Sequence, residues 1–328
     1  MTLHGTPLAK EMTEWWQTHA GRHADPKWLA YLEDFNYLLA HKLDEQAAEH
    51  DNHGRFGMSK AGGCTRAAAL KLMRAEAQEL SGSSRVTFWY GHMAEVMAIA
   101  TLRAIGVPVT PSTDDGGQFT CRIDPFMHST TDGLIAADPR LGNIPTMLSV
   151  KSAGYKMSGR QRGGGFKRYG FAQYPFDGVK VTNPGYWAQA QAEMHSRGHQ
   201  QHLFVLVAKD IIKAMEEDDY LGPKGNGSLV FYTEIIPYDS QFISDRFIPA
   251  WTDAWSDARR GVPGAARYLS KDGTYVALQP GDADGNKKLT GTFDPCSYCD
   301  FRDACMGSSL TAQLQASIAA KAQQEVLV

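Results

Sequence analysis

The spacing of apolar residues predicts helices in the first hundred positions. Aromatic and aliphatic residues recur every three or four positions over residues 8–50, with a break at GRHADP, residues 21–26. This pattern predicts two helices. Two more are predicted over GGCTRAAALKLMRAEAQEL, residues 62–80, and over GHMAEVMAIATLRAIG, residues 91–106, which Gly106 and Pro108 end.

After Pro108 the pattern changes to short alternating segments that predict strands. These are GQFTCRID (117–124), FMHSTTDGLIAAD (126–138), TMLSVKSA (146–153), HLFVLVAKD (202–210) and GSLVFYTEIIPYD (227–239). NPGYWAQAQAEMHSRG predicts a helix with Asn183 as its N-cap, Pro184 at its first position and Gly198 just past its end. Further helices are predicted over residues 243–261 and, at the periphery, over 308–328. This order predicts a mixed α/β core.

Composition limits the surfaces and the cell compartment that fit the chain, but it indicates no function. The 328 residues are 43% hydrophobic and 21% charged, and the net charge of −3 means that any nucleic-acid surface must be a local patch. No apolar run is long enough to cross a bilayer, and the N-terminus lacks the layout of a secretory signal. The five cysteines are an odd, clustered set, which favours thiols in a reducing cytoplasm over disulfides.

Two neighbouring predicted strands carry an acid and a lysine. Asp132 lies in TTDGLI and Lys151 in LSVKSA, so their side chains are expected to face each other. Such a pair, beside a helix that bears a carboxylate, is a way to hold a hard divalent cation and a water next to a phosphate. The alternative is an ordinary cross-strand ion pair.

Two predicted helices place further polar residues on inward faces. Glu95 shares a core-facing stripe with His92, and a buried carboxylate needs a partner such as a cation; the alternative is a helix start exposed to water. Tyr186, Gln189 and Glu193 align at i, i+3 and i+7, where a phenol and an amide suit phosphate oxygens or an attacking water. Exposed helices often carry the same residue types.

A basic, glycine-rich stretch without periodicity lies between these elements. Residues 154–180 contain six Lys or Arg against one Asp, with six aromatic residues among them. Cations that pair with phosphates and rings that stack on unpaired bases favour single strands or frayed ends, and the alternative is a solvated loop. The histidines of HSRGHQQH, residues 195–202, are predicted to be exposed at a helix end. The candidate DNA-binding residues are Lys156, Arg160, Arg162, Lys167 and Arg168.

In order and spacing, four motifs resemble those of one nuclease family. GHMAE, TDGLI, SVKS and YWAQAQ are similar to motifs of the RecB-type branch of the PD-(D/E)XK nucleases, which includes lambda-type exonucleases and CRISPR-associated iron–sulfur nucleases. The resemblance covers about residues 55–305. It implies a restriction-endonuclease-like core with a mixed central sheet flanked by helices. A helical region over 1–54 precedes this core, and a helical tail over 306–328 follows it.

The cysteines fit the iron–sulfur members of that family. Cys296, Cys299 and Cys305 fall within ten positions, one thiolate short of the usual four. The resemblance implies that Cys64, in GGCTRAA, is the fourth ligand of a 4Fe–4S cluster that links the two ends of the core. Zinc at the same thiolates stays the alternative, although structural zinc sites usually have two short cysteine pairs. Cys121 is predicted to be a small buried strand residue.

The resemblance also implies catalytic roles. Lys151 would orient and help deprotonate the attacking water, and Gln189 and Tyr186 would position the scissile strand. The implied ligands of Mg²⁺ or Mn²⁺ are Asp132, Glu95, the carbonyl of Val150 and an acid of the third motif.

Position 149 departs from the family pattern. The third motif has Glu or Asp two residues before its lysine, where this chain has Ser149. Three explanations are open. In the first, the carboxylate has migrated to the following helix, as in some restriction endonucleases with Ser-x-Lys, and Glu193 supplies it. In the others, the position carries an inactivating substitution, or the protein has lost catalysis and kept DNA binding.

The sequence therefore predicts a cytoplasmic, Mg²⁺- or Mn²⁺-dependent deoxyribonuclease. An exonuclease acting on single-stranded DNA or duplex ends is expected, in repair, recombination or phage DNA processing. The alternative is a catalytically inactive DNA-binding protein of the same fold, because of Ser149. A redox protein whose cluster carries electrons is a third hypothesis, which predicts activity independent of Lys151. No membrane partner is expected, and the sequence names no protein partner.

Overall fold

The helices of the first hundred residues follow the predicted spacing. A computed structural model describes residues 5–47, 55–73, 75, 82–111, 119–158, 167–209, 230–262, 266–270 and 272–278. The first helices are α1 (Pro7–His19), α2 (Pro26–Ala47), α3 (Thr65–Leu72) and α4 (Gly82–Ala104). The two N-terminal helices and the break between them are confirmed. The helix α3 ends before the predicted boundary, and α4 begins at Gly82 rather than at Gly91.

A five-stranded sheet forms the centre of the fold. Its strand order is β10-β9-β6-β5-β2, and β6 and β9 are parallel while the other neighbours are antiparallel. A three-stranded sheet has the order β1-β4-β3, and two antiparallel pairs are β7-β8 and β11-β12. The strands are β1 (Phe56–Gly57), β2 (Val109–Thr110), β3 (Phe119–Ile123), β4 (Met127–Thr131), β5 (Gly133–Ile135), β6 (Thr146–Ala153), β7 (Tyr155–Ser158), β8 (Lys167–Gly170), β9 (Gln201–Ala208), β10 (Phe231–Pro237), β11 (Ala266–Leu269) and β12 (Tyr275–Leu278). The mixed α/β architecture is therefore confirmed.

Among the later helices, α6 begins and ends where its capping residues predict. The helices are α5 (Tyr174–Thr182), α6 (Pro184–Arg197), the single turn α7 (Ser240–Phe242) and α8 (Ile248–Arg259), with a π-helical segment, Ile243–Phe247, between α7 and α8. Asn183 accepts a hydrogen bond from the Tyr186 backbone, and Gly198 ends α6 in the left-handed region with φ 70°. Both features were predicted from the sequence.

The stretch from 154 to 183 is more regular than its composition predicts. It contains the β7-β8 pair and α5, although no periodicity indicated either. Four-residue strands are too short to produce a visible alternation. In α5, Gly178 has φ 72°, which interrupts the helical period. The interpretation of this stretch as a loop without regular structure was therefore wrong for the residues of it that the structure describes.

The central strands contact helices on both of their faces. Met147, Phe204 and Leu206 join a hydrophobic cluster that includes residues of α3, α6 and α8. Leu148 and Val205, which alternate with them, join a second cluster with α1, α2 and α4. Because strand side chains alternate, Ser149 and Lys151 lie on the same face of β6 as Met147 and point toward α6. Within the described ranges, no helix combines the length and apolar character needed to cross a bilayer.

Candidate active site

Asp132 lies at the bend between β4 and β5, at the edge of a β-ladder. The sequence predicted it inside a strand. Its backbone N–H donates to the Leu148 carbonyl at 3.2 Å, and its Oδ2 accepts a hydrogen bond from the Val150 backbone N–H at 2.7 Å. The carboxylate is thereby fixed across strand β6, next to Lys151. The fold thus brings the predicted acid and lysine together.

Lys151 lies among carboxylates from three elements. Burial opposes its charged form, but the charges of Asp132, Glu193 and Glu95, together with Tyr186, outweigh burial and raise the pKa of the ammonium group. Its Nζ also lies 5.7 Å from the ring centroid of Tyr186 on α6, within the range of a cation–π contact. The lysine is therefore held in its charged state.

Glu95 on α4 is paired with a lysine from the N-terminal helices. Its Oε1 lies 2.6 Å from the Nζ of Lys42 on α2, and both side chains are largely buried. The pKa of Glu95 is raised to about 7, chiefly by burial and then by the charge of Asp132, while Lys42 and Lys151 act in the opposite direction. Glu95 and Asp132 are thus close enough to repel each other.

Glu193 on α6 is fully buried and surrounded by hydrogen-bond donors. Gln189 Nε2 donates to its Oε1 at 2.8 Å, and Ser129 Oγ donates to the same oxygen at 3.3 Å. Ser149 Oγ donates to Oε2 at 3.4 Å, and His202 Nε2 lies 3.2 Å from that oxygen. The carboxylate therefore occupies the space beside position 149, and the amide of Gln189, which was expected to contact the scissile strand, contacts Glu193.

Ser149, His202 and Glu193 are the residue types of a nucleophilic triad, but their geometry does not fit one. In a triad the histidine uses one ring nitrogen for the serine and the other for the carboxylate. Both contacts here involve Nε2, at 3.2 Å from Ser149 Oγ and 3.2 Å from Glu193 Oε2. Nδ1 has no hydrogen-bond partner among the described residues. The trio is a buried polar network that holds Glu193.

The donor set fits a hard cation only in part. Glu95 and Asp132 offer carboxylate oxygens, the ligands that Mg²⁺ prefers, and their mutual repulsion would be relieved by a cation. In the part of the chain that the structure describes, no group of three or more His, Cys, Asp or Glu side chains is arranged to hold a metal ion. Mg²⁺ is often held by one or two carboxylates with water and substrate phosphates. The pair fits such a site rather than a complete protein cage.

Several residues predicted to bind DNA or a cluster lie away from this site or outside the described residues. Arg160, Arg162 and the cysteines at 296, 299 and 305 lie outside the described residues. Lys156, Lys167 and Arg168 belong to the backbone of the β7-β8 pair. Cys64 is the N-cap residue of α3, and Cys121 is fully buried in β3, as predicted.

Two residues of the site were missed by sequence reasoning. His202 was predicted as the first residue of a strand, which is confirmed, but also as a histidine exposed at a helix end, which is wrong because it is fully buried on the same face as Phe204. Its alternation with Phe204 and Leu206 was the available signal. Lys42 follows Tyr31 and Leu38 at helical spacing on the buried side of α2. A lysine on this apolar stripe was the sequence feature that could have indicated a charged partner inside the protein.

Comparisons with known proteins give no match among family models or curated proteins. Solved structures similar to the chain include the alkaline exonuclease LHK-Exo from Laribacter hongkongensis, at 13% identity, covering 69% of this chain and 93% of that chain, with a TM-score of 0.39. LHK-Exo in complex with dAMP is similar at 13% identity, 69% and 92% coverage and a TM-score of 0.39. SSO0001 is similar at 12% identity, 83% and 95% coverage and a TM-score of 0.37.

Proposed function

We propose that this protein is a metal-dependent nuclease that hydrolyses phosphodiester bonds in DNA. The observation that carries the proposal is the surroundings of Lys151: a 2.7 Å hydrogen bond fixes Asp132 against the neighbouring Val150, and the charges of Glu193 and Glu95 act on the lysine from two further elements. A charged lysine beside several carboxylates suits phosphoryl chemistry. The ammonium group offsets negative charge on the phosphate, and the carboxylates bind cations and orient water.

In the proposed reaction, the residues of the site act on a water and a phosphate. A divalent cation held by Glu95 and Asp132 would supply Lewis-acid activation of the scissile phosphate. Lys151 orients the attacking water and offsets charge on the phosphate. Glu193, in contact with Ser149 at 3.4 Å, supplies the carboxylate that the family pattern has at position 149.

DNA is proposed as the substrate because aromatic side chains are exposed on the helix that carries Glu95. Phe88, Trp89 and Tyr90 on α4 are 55%, 42% and 59% exposed. By helical geometry, Phe88 lies on nearly the same stripe as Glu95, about 10 Å along the axis. Exposed rings at this distance suit stacking on the bases of a single strand or a frayed end. They support an exonuclease that acts at ends.

A catalytically inactive DNA-binding protein is the second candidate, and Ser149 is the observation that favours it. If position 149 must be acidic for catalysis, this chain retains the exposed aromatic rings of α4 and the basic residues of its sequence without the reaction. The two candidates differ in one measurable property, because only the nuclease shortens DNA.

Incubation of end-labelled DNA with the purified protein and Mn²⁺ tests the proposal. Shortening from an end is expected with Mn²⁺ and not with EDTA, and Lys151→Met is expected to lower the rate about 100-fold or more. Lys10→Met is the matched control, because Lys10 pairs with Glu14 at 3.6 Å on the surface of α1. It should leave the rate unchanged. Binding without shortening would support the inactive DNA-binding protein, and neither binding nor shortening would contradict both.

We also propose a 4Fe–4S cluster held by Cys64 and the cysteines at 296, 299 and 305. The support is the spacing of these cysteines in the sequence. The odd, clustered set of five cysteines also favours thiols in a reducing cytoplasm over disulfides. Gly62, two residues before Cys64, lies so close to α6 that an added Cβ would be 2.1 Å from the Gly185 Cα. The proposed cluster would therefore brace the helix that carries Glu193. Iron and sulfide analysis with an anaerobic absorption spectrum should give about four irons per chain and a clear loss in Cys64→Ser. Zinc without sulfide would identify the alternative.

A further inference from the structure

Lys42 is a charged residue of the site that comes from outside the motifs. It lies near the end of the described part of α2, and its Nζ is 2.6 Å from Glu95 Oε1. The two side chains are only 11% and 13% exposed. Surface ion pairs of lysine and glutamate are usually mobile and screened by water. This one is sheltered, so the charge of Lys42 acts on Glu95 with little screening by water.

The chain places this ammonium group by ordinary helix packing. Tyr31, Leu38 and Lys42 follow one another at helical spacing, and the first two are buried in the cluster that α2 and α4 share. A lysine at the end of such a stripe buries its methylene stem along the apolar surface and extends its charged end beyond it. The charged end meets Glu95 at that point. The approach of Lys42 therefore follows from the packing of α2 on α4.

The contact conflicts with metal binding at the same carboxylate. Mg²⁺ binds oxygen ligands at about 2.0–2.1 Å and keeps a full shell of oxygens. An ammonium group at 2.6 Å occupies one side of Glu95 and repels an incoming cation. Burial limits the screening of this repulsion by salt. Glu95 cannot hold both partners at full strength.

We propose that Lys42 is a tethered cation that occupies Glu95 in the metal-free protein and competes with the divalent cation for it. This proposal rests on the proposed function, because it assigns Glu95 to the cation site. Binding of the divalent cation displaces the ammonium group from Glu95. Through Lys42, the helix α2 thereby lowers the affinity of the site for its metal.

Mn²⁺ binding to the full chain, without DNA, tests the competition. Electron paramagnetic resonance of free Mn²⁺ gives the dissociation constant independently of any cleavage. Lys42→Met keeps the stem and removes the charge, and it should lower the dissociation constant by about tenfold or more. Lys10→Met is the control, because Lys10 pairs with Glu14 at 3.6 Å on the surface. It should leave the dissociation constant unchanged.

A second pair of variants shows whether the effect passes through Glu95. In a Glu95→Gln background, Lys42→Met should change Mn²⁺ affinity much less, because the contested carboxylate is gone and only the longer-range repulsion between Lys42 and the cation remains. Lys42→Gln retains a hydrogen-bond donor for Glu95 and serves if Lys42→Met fails to fold, as judged by circular dichroism. It should also tighten Mn²⁺ binding.

The outcomes separate this inference from the proposed function. Equal or weaker Mn²⁺ affinity in a folded Lys42 variant overturns the competition, even if the wild-type protein cleaves DNA with Mn²⁺. An equal gain in the Glu95→Gln background also overturns it, because the effect would then be general. Absence of Mn²⁺ binding in the wild-type protein and in the Lys42 variants, together with absence of cleavage, overturns both proposals.

Discussion

Replacement of Ser149 by glutamate tests whether the acid of the third motif has moved to Glu193 or is missing from this chain. The change restores the residue type of the family pattern, but in this fold the new carboxylate would meet one that is already in place. Ser149 Oγ lies 3.4 Å from Glu193 Oε2, and both residues are buried. Ser149→Glu is therefore expected to destabilise the protein and to lower cleavage.

The expected cost follows from this distance and from the added volume. Two unit charges about 4 Å apart repel by about 4 kcal/mol at an effective dielectric constant of about 20. Insertion of a larger side chain into a packed site costs roughly 1–3 kcal/mol more. The sum is comparable to the whole stability of many domains, roughly 5–15 kcal/mol, unless one carboxyl group takes up a proton. A fall in Tm of about 10 °C or more is expected.

Three variants measured together decide the question. Initial rates of Mn²⁺-dependent cleavage and thermal unfolding are compared for Ser149→Glu, Glu193→Gln and the double variant. Glu193→Gln should lower the rate about 100-fold or more. The double variant should be more stable than Ser149→Glu, because the repulsion is removed, and should recover part of the rate. Glu33→Gln, at an exposed position of α2, should match the wild type.

The opposite pattern would refute relocation. If Ser149→Glu raises the rate and Glu193→Gln leaves it unchanged, the acid belongs at position 149. Glu193 would then be a structural residue of the buried network.

Three further changes test other parts of the molecule. Trp89→Ala should weaken single-stranded DNA binding in EDTA by about tenfold through loss of one stacking ring, whereas Tyr37→Ala, an exposed ring on α2, should not. Equal dissociation constants of the two variants for single-stranded DNA, measured by fluorescence anisotropy, would contradict this. Gly62→Ala should lower stability by roughly 1–3 kcal/mol in calorimetry, because the α6 backbone leaves no room for a Cβ; an unchanged Tm would refute the close packing. The side chain of Arg140 donates a hydrogen bond that lowers the pKa of Asp138, so the pair stabilises fully above about pH 4 and less as pH falls through the folded-state pKa. Arg140→Met should therefore lower Tm more at neutral pH than in acid, and a pH-independent difference would count against the pairing.

The fold was predictable where local signals and packing agree. In α6, the capping residues Asn183 and Gly198 fix both ends through local hydrogen bonds that the sequence itself encodes. In β9, a continuous apolar run predicts a buried strand, and the parallel neighbour β6 explains why both of its faces are covered. The order of the motifs predicted that Asp132 and Lys151 would be neighbours.

The remaining parts of the site depend on contacts that are distant in the chain. The proximity of Lys42 to Glu95 requires the packing of α2 on α4, which neither helix specifies alone. The position of Glu193 beside Ser149 requires the angle between α6 and β6, so the sequence left three explanations of Ser149 open. His202 was misjudged because the boundary between α6 and β9 was taken to be an exposed helix end.

The decisive measurement is the rate of Mn²⁺-dependent DNA cleavage by Asp132→Asn. Asparagine has the same shape and can still accept the hydrogen bond from Val150, which is 2.7 Å long, so the fold is kept while the negative charge is lost. Cleavage should fall about 100-fold or more, with DNA affinity in EDTA equal to or higher than that of the wild type. Cleavage by Asp132→Asn at the wild-type rate would show that Asp132 and Lys151 do not form the catalytic centre.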